Sequence, residues 1–257
     1  MMYLIYILSS LAGGVLVGMA GLTAAMVLTP ILTGACGWND YDAVTMSQVA
    51  NVPSAIITSY TYHKNGNIDR KRGMSVALSS FAGAVVGSWL GYLFSQVSEN
   101  GVSYAVIVMN LVLAVKYLKP AKEKKDTLTE KEQTMAKKKM LLAMFLGFLI
   151  GVECGFMGSA GGVLMLMVLT MMLGMETKLA VGTSSLVMML VALTGAVSHV
   201  AMGANLELIP SIVMTVACTA GAVGSSRFAN KVAEKTLNHA AGVVLLIVSV
   251  VSLILSR

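Results

Sequence analysis

Apolar residues run along this chain in long blocks rather than at the spacing that gives a helix or strand a single oily face. Residues 140–157, MLLAMFLGFLIGVECGFM, carry one charged side chain, Glu153, and residues 237–256 carry no titratable group beyond His239. Blocks of this length match a hydrocarbon core of ~30 Å at ~1.5 Å per helical residue. Comparable plain spans occupy about 43–62, 74–94, 102–118, 179–201 and 208–226. Two longer segments, about 3–33 and 140–173, are interrupted by glycines. Between the two sets lies the polar stretch 119–139, KPAKEKKDTLTEKEQTMAKKK. The pattern predicts an all-α integral membrane protein with a first membrane repeat over 1–118, a charged cytoplasmic linker over 119–139 and a second membrane repeat over 140–257.

An offset of 137 residues relates the two sets. Residues 14–87 align with 151–224 without a gap, with 15 identities over 74 positions. Gly14, Gly18, Gly21, Gly37, Gly66 and Gly87 fall on Gly151, Gly155, Gly158, Gly174, Gly203 and Gly224. Ala43, Val44 and Ser47 fall on Ala180, Val181 and Ser184. Matched glycines and a matched hydroxyl are backbone and polar features that a shared apolar alphabet does not generate in one register. The chain therefore reads as two homologous halves.

The segment 140–173 would be ~51 Å long as one helix, well beyond a single crossing. It is either one kinked, overlong helix or a hairpin turning at GSAGG (158–162). Basic residues favour the cytoplasmic side of a membrane. If each broken segment crosses once, 14 Lys/Arg share one side and four the other; if each is a hairpin, 17 share one side and only Arg257 is left outside. Hairpins satisfy length and charge better, although the single-crossing arrangement also meets the charge rule. Hairpins leave three plain crossings per half, so the halves become inverted repeats with both termini outside. Trp89, Tyr92, Tyr60 and Tyr62 fit an aromatic belt at the interfaces.

Composition agrees with this picture. The chain is 56% hydrophobic and 12% charged, with a mean hydropathy of +0.80, whereas a soluble domain is roughly a quarter charged. The first apolar stretch lacks the basic lead of a secretory signal and counts as structure. The net charge of +6 resides in loops and gives no hint of nucleic acid. Cys36, Cys154 and Cys218 have no metal-like spacing and read as small buried residues. No nucleotide-binding, redox, metal or other cofactor motif is present, which argues against an ATP-driven pump in this chain alone.

Candidate chemistry lies where polar groups fall at depth, since such groups are costly in lipid. GMAGLTAA (18–25) and GFMGSAGG (155–162) hold equivalent places. A break at Gly21, or at Gly158, Ser159, Gly161 and Gly162, would bare backbone N–H groups at the positive end of a half-helix, where an anion can bind. The bland reading is close helix packing through small residues, which suits Gly14 and Gly18, or Gly151 and Gly155. A second candidate is the hydroxyl cluster opening the next helix: Gly182, Thr183, Ser184 and Ser185 in AVGTSSL, with Thr45, Ser47 and Gln48 in AVTMSQV. Such groups donate to an oxyanion without a buried cation, and they equally suit simple N-capping. Glu153, whose repeat partner is Leu16, is the candidate for carrying a coupled proton, against the reading of a carboxyl that merely lines a cavity. His63 and His199 read as interfacial packing, against the alternative of a proton relay, Asn51 and Pro53 as a bend, and Asn110 as a helix-to-helix hydrogen bond.

The glycine-rich break GFMGSAGG followed by the AVGTSSL helix start, with Gly21 and Pro30 in MVLTPIL of the first half, all arranged around a polar linker, resembles the sulfite exporter TauE/SafE family of membrane permeases. The resemblance covers essentially the whole chain. It departs at 22–25, LTAA, where the family favours glycines, and at Met167, which stands in the place of Pro30. The resemblance implies export of sulfite, sulfoacetate or related organosulfur anions across the cytoplasmic membrane by a multi-pass secondary transporter. An interior-negative potential favours anion exit by ~2.3 kcal/mol per charge per 100 mV, so export can proceed with or without a coupled proton. The expected partners are a small anionic substrate and the lipid bilayer, with a homodimer left open. A non-transporting scaffold, a membrane-embedded enzyme built on Glu153 with His199 or Cys154, and a permease for another organic anion are the competing readings.

Overall fold

The computed structural model describes residues 2–97, 101–118, 132–159, 161–232, 242–244, 246–247 and 250–251. Most of the polar linker and much of the last apolar span thus lie outside the described residues. The described chain is helical: α1 (Met2–Ala20), α2 (Ala25–Cys36), α3 (Asp40–Lys64), α4 (Arg70–Ser95), α5 (Gly101–Leu118), α6 (Glu132–Met157), α7 (Gly161–Met167), α8 (Thr177–Ala201) and α9 (Leu208–Ala229). A π-helical turn, Val168–Met172, prolongs α7. Residues 132–139, expected in the linker, form the start of α6.

Helix ends follow from residues suited to them. Gly21, Gly37, Gly66, Gly158, Gly174 and Gly203 have φ between 63° and 98°, a region that side chains with a Cβ avoid. They form three pairs, each 137 residues apart. Asn39 begins α3 by accepting the Asp42 N–H at 2.8 Å, and Asp69 begins α4 by accepting the Arg72 N–H at 3.0 Å, both ordinary N-caps.

Five described helices, α1, α4, the 137–157 part of α6, α8 and α9, are long and apolar enough to cross a membrane. Their outward faces expose Leu4, Leu8, Leu78, Leu141, Phe145, Val197 and Leu208, as contact with lipid tails requires. The polar helix α3 is not among the five. It buries Thr45, Ser47, Gln48, Asn51, Ser54 and Thr58 inside the bundle instead.

Close contacts fix the helix directions. Gly14 lies against Cys218, and Gly18 against Ala222 and Ser225, so α1 and α9 run parallel. Gly83, Gly87 and Gly91 lie against Phe148, Val152 and Phe156, so α4 and α6 run parallel. Between α3 and α8 the order reverses: Thr45 meets His199, while Tyr62 meets Gly182. Trp38, at the entrance to α3, bonds Tyr6 at the start of α1, so α1 and α3 start at one end. Helices α1, α3 and α9 therefore run one way, and α4, α6 and α8 the other.

Both glycine-broken segments are hairpins. After α1 the chain turns back, placing Ala24 against Gly13. After α6 it turns back so that Gly161 sits against Cys154 and Ile150. The return arms, α2 and α7 with its π turn, are each 12 residues or ~18 Å, about half a crossing. The turn in the second half falls at GSAGG, as the glycine density predicts.

The two ends of the bundle differ in charge. Lys64, Arg70, Lys71, Arg72, Lys137, Lys138, Lys139, Lys178, Arg227 and Lys231 lie at the end where α3 finishes, while loops 37–39 and 202–207 at the opposite end hold no Lys or Arg. At that acidic end Asp40 accepts the first-turn N–H of Val102 in α5 at 2.7 Å, and Asp42 accepts the Asn205 N–H at 2.7 Å. Of the aromatic residues expected at interfaces, Tyr60 and Trp89 are exposed, but Tyr62 is buried. Its hydroxyl reaches the Met19 carbonyl at 3.4 Å, because α3 lies in the bundle interior rather than against lipid.

Candidate functional site

The two hairpins enter from opposite ends and their tips meet inside the bundle. At each tip the helix closes on a glycine: the Gly21 N–H donates to Val17 at 3.0 Å and the Gly158 N–H to Cys154 at 2.8 Å. The Thr23 hydroxyl of the first tip donates to the Ser159 carbonyl of the second. Gly162 lies directly on the Gly21–Leu22 backbone, too close for any Cβ. Each tip also rests on the long inner helix of the other half. Gly21 packs on Val181, Ser184 and Ser185 of α8, and Gly158 on Val44 and Gln48 of α3.

Between the second tip, α3 and α8 lies a cavity of about 10 Å³ lined by Thr23, Ser47, Gln48, Asn51, Cys154, Gly158, Met188, Val191 and Ala192. Such a volume holds about one water molecule, so an oxyanion enters only if the tips part. The walls differ in character. Helix α3 contributes Ser47, Gln48 and Asn51; α8 contributes Met188, Val191 and Ala192. Asn51 Oδ1 accepts the Ala24 N–H at 3.1 Å, which holds the first tip and leaves the amide NH2 to offer to the cavity. Gln48 Nε2 donates to the Cys154 carbonyl at 3.0 Å, while its Oε1 is buried without a hydrogen-bond partner. Ser47 Oγ donates to Ala43 at 2.7 Å and lies 3.2 Å from the Thr29 hydroxyl.

The residues singled out in the sequence divide into three groups. Gly158, Ser47 and Gln48 line the cavity. Gly21, Ser159, Gly161 and Gly162 build the tips around it. Ser184 joins them by donating to the Gly21 carbonyl at 3.3 Å. The others lie elsewhere. Gly182 packs on the Asn67 carbonyl, and Thr183 Oγ1 accepts the Asp69 N–H at 3.0 Å, so both belong to the seam at the basic end. Ser185 turns back onto the Val181 carbonyl at 2.8 Å. Thr45 lies toward the acidic end, 3.0 Å from His199.

One expectation about these hydroxyls is corrected. They do not open their helices, because α3 begins at Asp40 and α8 at Thr177, more than one turn before them. Their backbone N–H groups are therefore spent within the helix, and the Thr45, Ser47 and Ser185 hydroxyls bond back to carbonyls four residues earlier, as mid-helix Ser and Thr do. His199 is a second correction. It is fully buried, with Nε2 2.8 Å from the Gly155 carbonyl, and is not interfacial. Glu153 is half-buried and accepts the Ser159 hydroxyl at 3.1 Å, tying it to the second tip. Asn110 donates to the Met26 carbonyl at 2.6 Å, the helix-to-helix bond expected of it.

Sequence reasoning missed Thr23, which sat in the stretch LTAA that departs from a glycine pattern, and it read Asn51 and Cys154 as structural. An Asn four residues after Ser47 and three after Gln48, continuing their polar face of one helix, was the available signal.

The model of the sulfite exporter TauE/SafE family matches residues 6–252. A curated relative, the "Probable membrane transporter protein YunE" of Bacillus subtilis (strain 168), is 24% identical over 218 residues, covering 79% of this chain and 80% of the relative. No solved structure matches the chain significantly. With a family match spanning nearly the whole length and two glycine-hinged hairpins meeting inside an apolar bundle, the chain belongs to the sulfite exporter TauE/SafE family of membrane transporters.

Proposed function

We propose that the protein is a secondary transporter exporting a small sulfur oxyanion or organosulfonate, and that the anion binds between the two hairpin tips. The observation that carries this reading is the polar cavity at the meeting of the tips, walled by Thr23, Ser47, Gln48 and Asn51. Hydroxyl and amide donors suit an oxyanion, and their burial gives them strength that water would screen. The apolar wall of Met188, Val191 and Ala192 suits a carbon group attached to the acid, as in sulfoacetate.

The two halves act as inverted repeats, an architecture in which broken helices meet at a site and one repeat rocks against the other. The end rich in Lys and Arg faces the cytoplasm of the cell membrane. Parting of the tips toward one end and then the other gives alternating access.

Reconstituted vesicles test the reading by uptake of sulfite, sulfoacetate, sulfate and a simple carboxylate, with and without a pH gradient. Saturable movement of sulfite or a sulfonate is expected, lost in Thr23→Val/Asn51→Leu and kept in Thr183→Val. Folded protein that moves none of these anions would sink the reading.

A further inference from the structure

The outward seam between α4 and α6 is not flush. Lys138, Leu141, Leu142, Phe145 and Phe148 recur every three or four residues on α6, which brings them to one face. With the small Ser79 of α4 they line a groove of about 550 Å³, within the range of small-molecule sites. From Lys138 to Phe148 the groove follows α6 for ten residues, or ~15 Å. That is half of a ~30 Å hydrocarbon core, so it spans one leaflet, from the basic end to the middle of the membrane.

Polarity in the groove is confined to its mouth. The Ser79 hydroxyl donates to the Val76 carbonyl of its own helix at 2.8 Å. Leu141, Leu142 and Phe145 are exposed. Lys138, at the basic end, is the one charged residue that lines the groove. No Asp or Glu occurs over 133–152 on α6, or over 70–98, which includes all of α4. Among the described residues Lys138 makes no ion pair. A cation at headgroup level above an apolar channel one leaflet long complements a negatively charged phosphate with an acyl chain beneath it.

We propose that this groove is a binding site for an anionic phospholipid of the leaflet at the basic end, its phosphate on Lys138 and one acyl chain along Leu141, Phe145 and Phe148. A zwitterionic lipid carries a cation of its own beside the phosphate and gains less from Lys138. A second copy of the chain fits worse. A two-fold axis through this face along the membrane normal would set Lys138 against Lys138 at one depth, which like charges oppose. The linker 119–131 is polar apart from Pro120, Ala121 and Leu128, and so has no apolar run to fill the groove. The site stands or falls independently of which anion the protein carries.

Fluorescence in vesicles tests it. The chain has two tryptophans, Trp38 and Trp89. Replacing both by phenylalanine and introducing Phe145→Trp puts a single fluorophore in the groove of the full chain. Quenching by phosphatidylglycerol brominated on its acyl chains is compared with quenching by phosphatidylcholine brominated in the same way. The anionic lipid is expected to bind about fivefold more tightly. Lys138→Arg should keep that preference and Lys138→Gln should bring the ratio close to one. Lys137 does not line the groove, so Lys137→Gln should keep most of the preference. Equal losses in the two glutamine variants would mean diffuse attraction to the basic end and would overturn the site. No preference in the parent protein overturns it too, as does an absence of quenching by either lipid, the sign of a groove covered by protein. Native mass spectrometry of the chain with its own tryptophans checks the same point in detergent. Retention of phosphatidylglycerol over phosphatidylcholine is expected, lost in Lys138→Gln; equal retention of the two lipids overturns the proposal.

Discussion

The side-chain amide of Gln48 on α3 lies flat against the backbone of Gly195 on α8, leaving no room for a Cβ. Gln48 can wall the cavity only because position 195 has no side chain. Gly195→Ala is therefore expected to destabilise the protein by about 1–3 kcal/mol and to lower anion flux by displacing the amide. Gln48→Ala should restore stability in the double variant but not flux. Denaturation of the two single variants and the double variant checks the coupling; additive losses would count against the contact.

The glycines with positive φ divide by what surrounds them. A Cβ on Gly21 would come within 2.6 Å of Ser184 Oγ and 2.9 Å of the Val181 carbonyl, whereas one on Gly37 or Gly174 would meet nothing within 4 Å. Alanine at 37 or 174 should bring only the left-handed backbone penalty of about 1–2 kcal/mol. Alanine at 21 should add a packing loss of about 1–3 kcal/mol and reduce flux. Thermal unfolding of the three variants gives the order directly.

Helix packing supplies a second contrast. Gly14 touches the Cys218 carbonyl across the α1–α9 seam, while a Cβ on Gly224 of α9 would point into open space. Gly14→Ala is expected to lose about 1–3 kcal/mol, and Gly224→Ala to be neutral or better, since alanine favours a helix over glycine. Equal effects of the two substitutions would contradict the seam.

The charge difference between the ends predicts a labelling pattern. Asn205→Cys, at the acidic end, should react with an impermeant maleimide added to whole cells. Asn65→Cys, at the basic end, should react only after the cells are opened. The reverse pattern would invert the orientation.

Met188 forms part of the apolar wall. Met188→Ala should favour a longer sulfonate over sulfite by about tenfold in relative flux, the effect of a methylene or so of extra room. Competition between the two anions measures it.

Much of this architecture is visible in the residues. The second hairpin announces itself because Gly158, Gly161 and Gly162 crowd into five residues, and Gly158 takes the left-handed backbone that turns the chain. The first is harder to see: only Gly21 has the positive φ there, and Leu22, Thr23 and Ala24 resemble ordinary helix residues. The hydroxyls of AVGTSSL resemble a helix start because Thr177 and Lys178, polar but helical, hide the true start of α8. The site itself depends on which faces meet. Ser184 and Ser47 occupy equivalent places in the repeat alignment, yet Ser184 holds a tip carbonyl and Ser47 walls the cavity. That distinction comes from tertiary packing, to which no single segment of sequence is sensitive.

The parallel seams have a consequence for how the chain is made. The small-residue face of α1 around Gly14 and Gly18 meets its partner only when α9 is present, some two hundred residues later in synthesis, and α4 likewise waits for α6. The first half thus enters the membrane with both faces unmatched and its hairpin unclasped. A chain cut within 119–131 is therefore expected to accumulate only when both pieces are produced together in the same membrane.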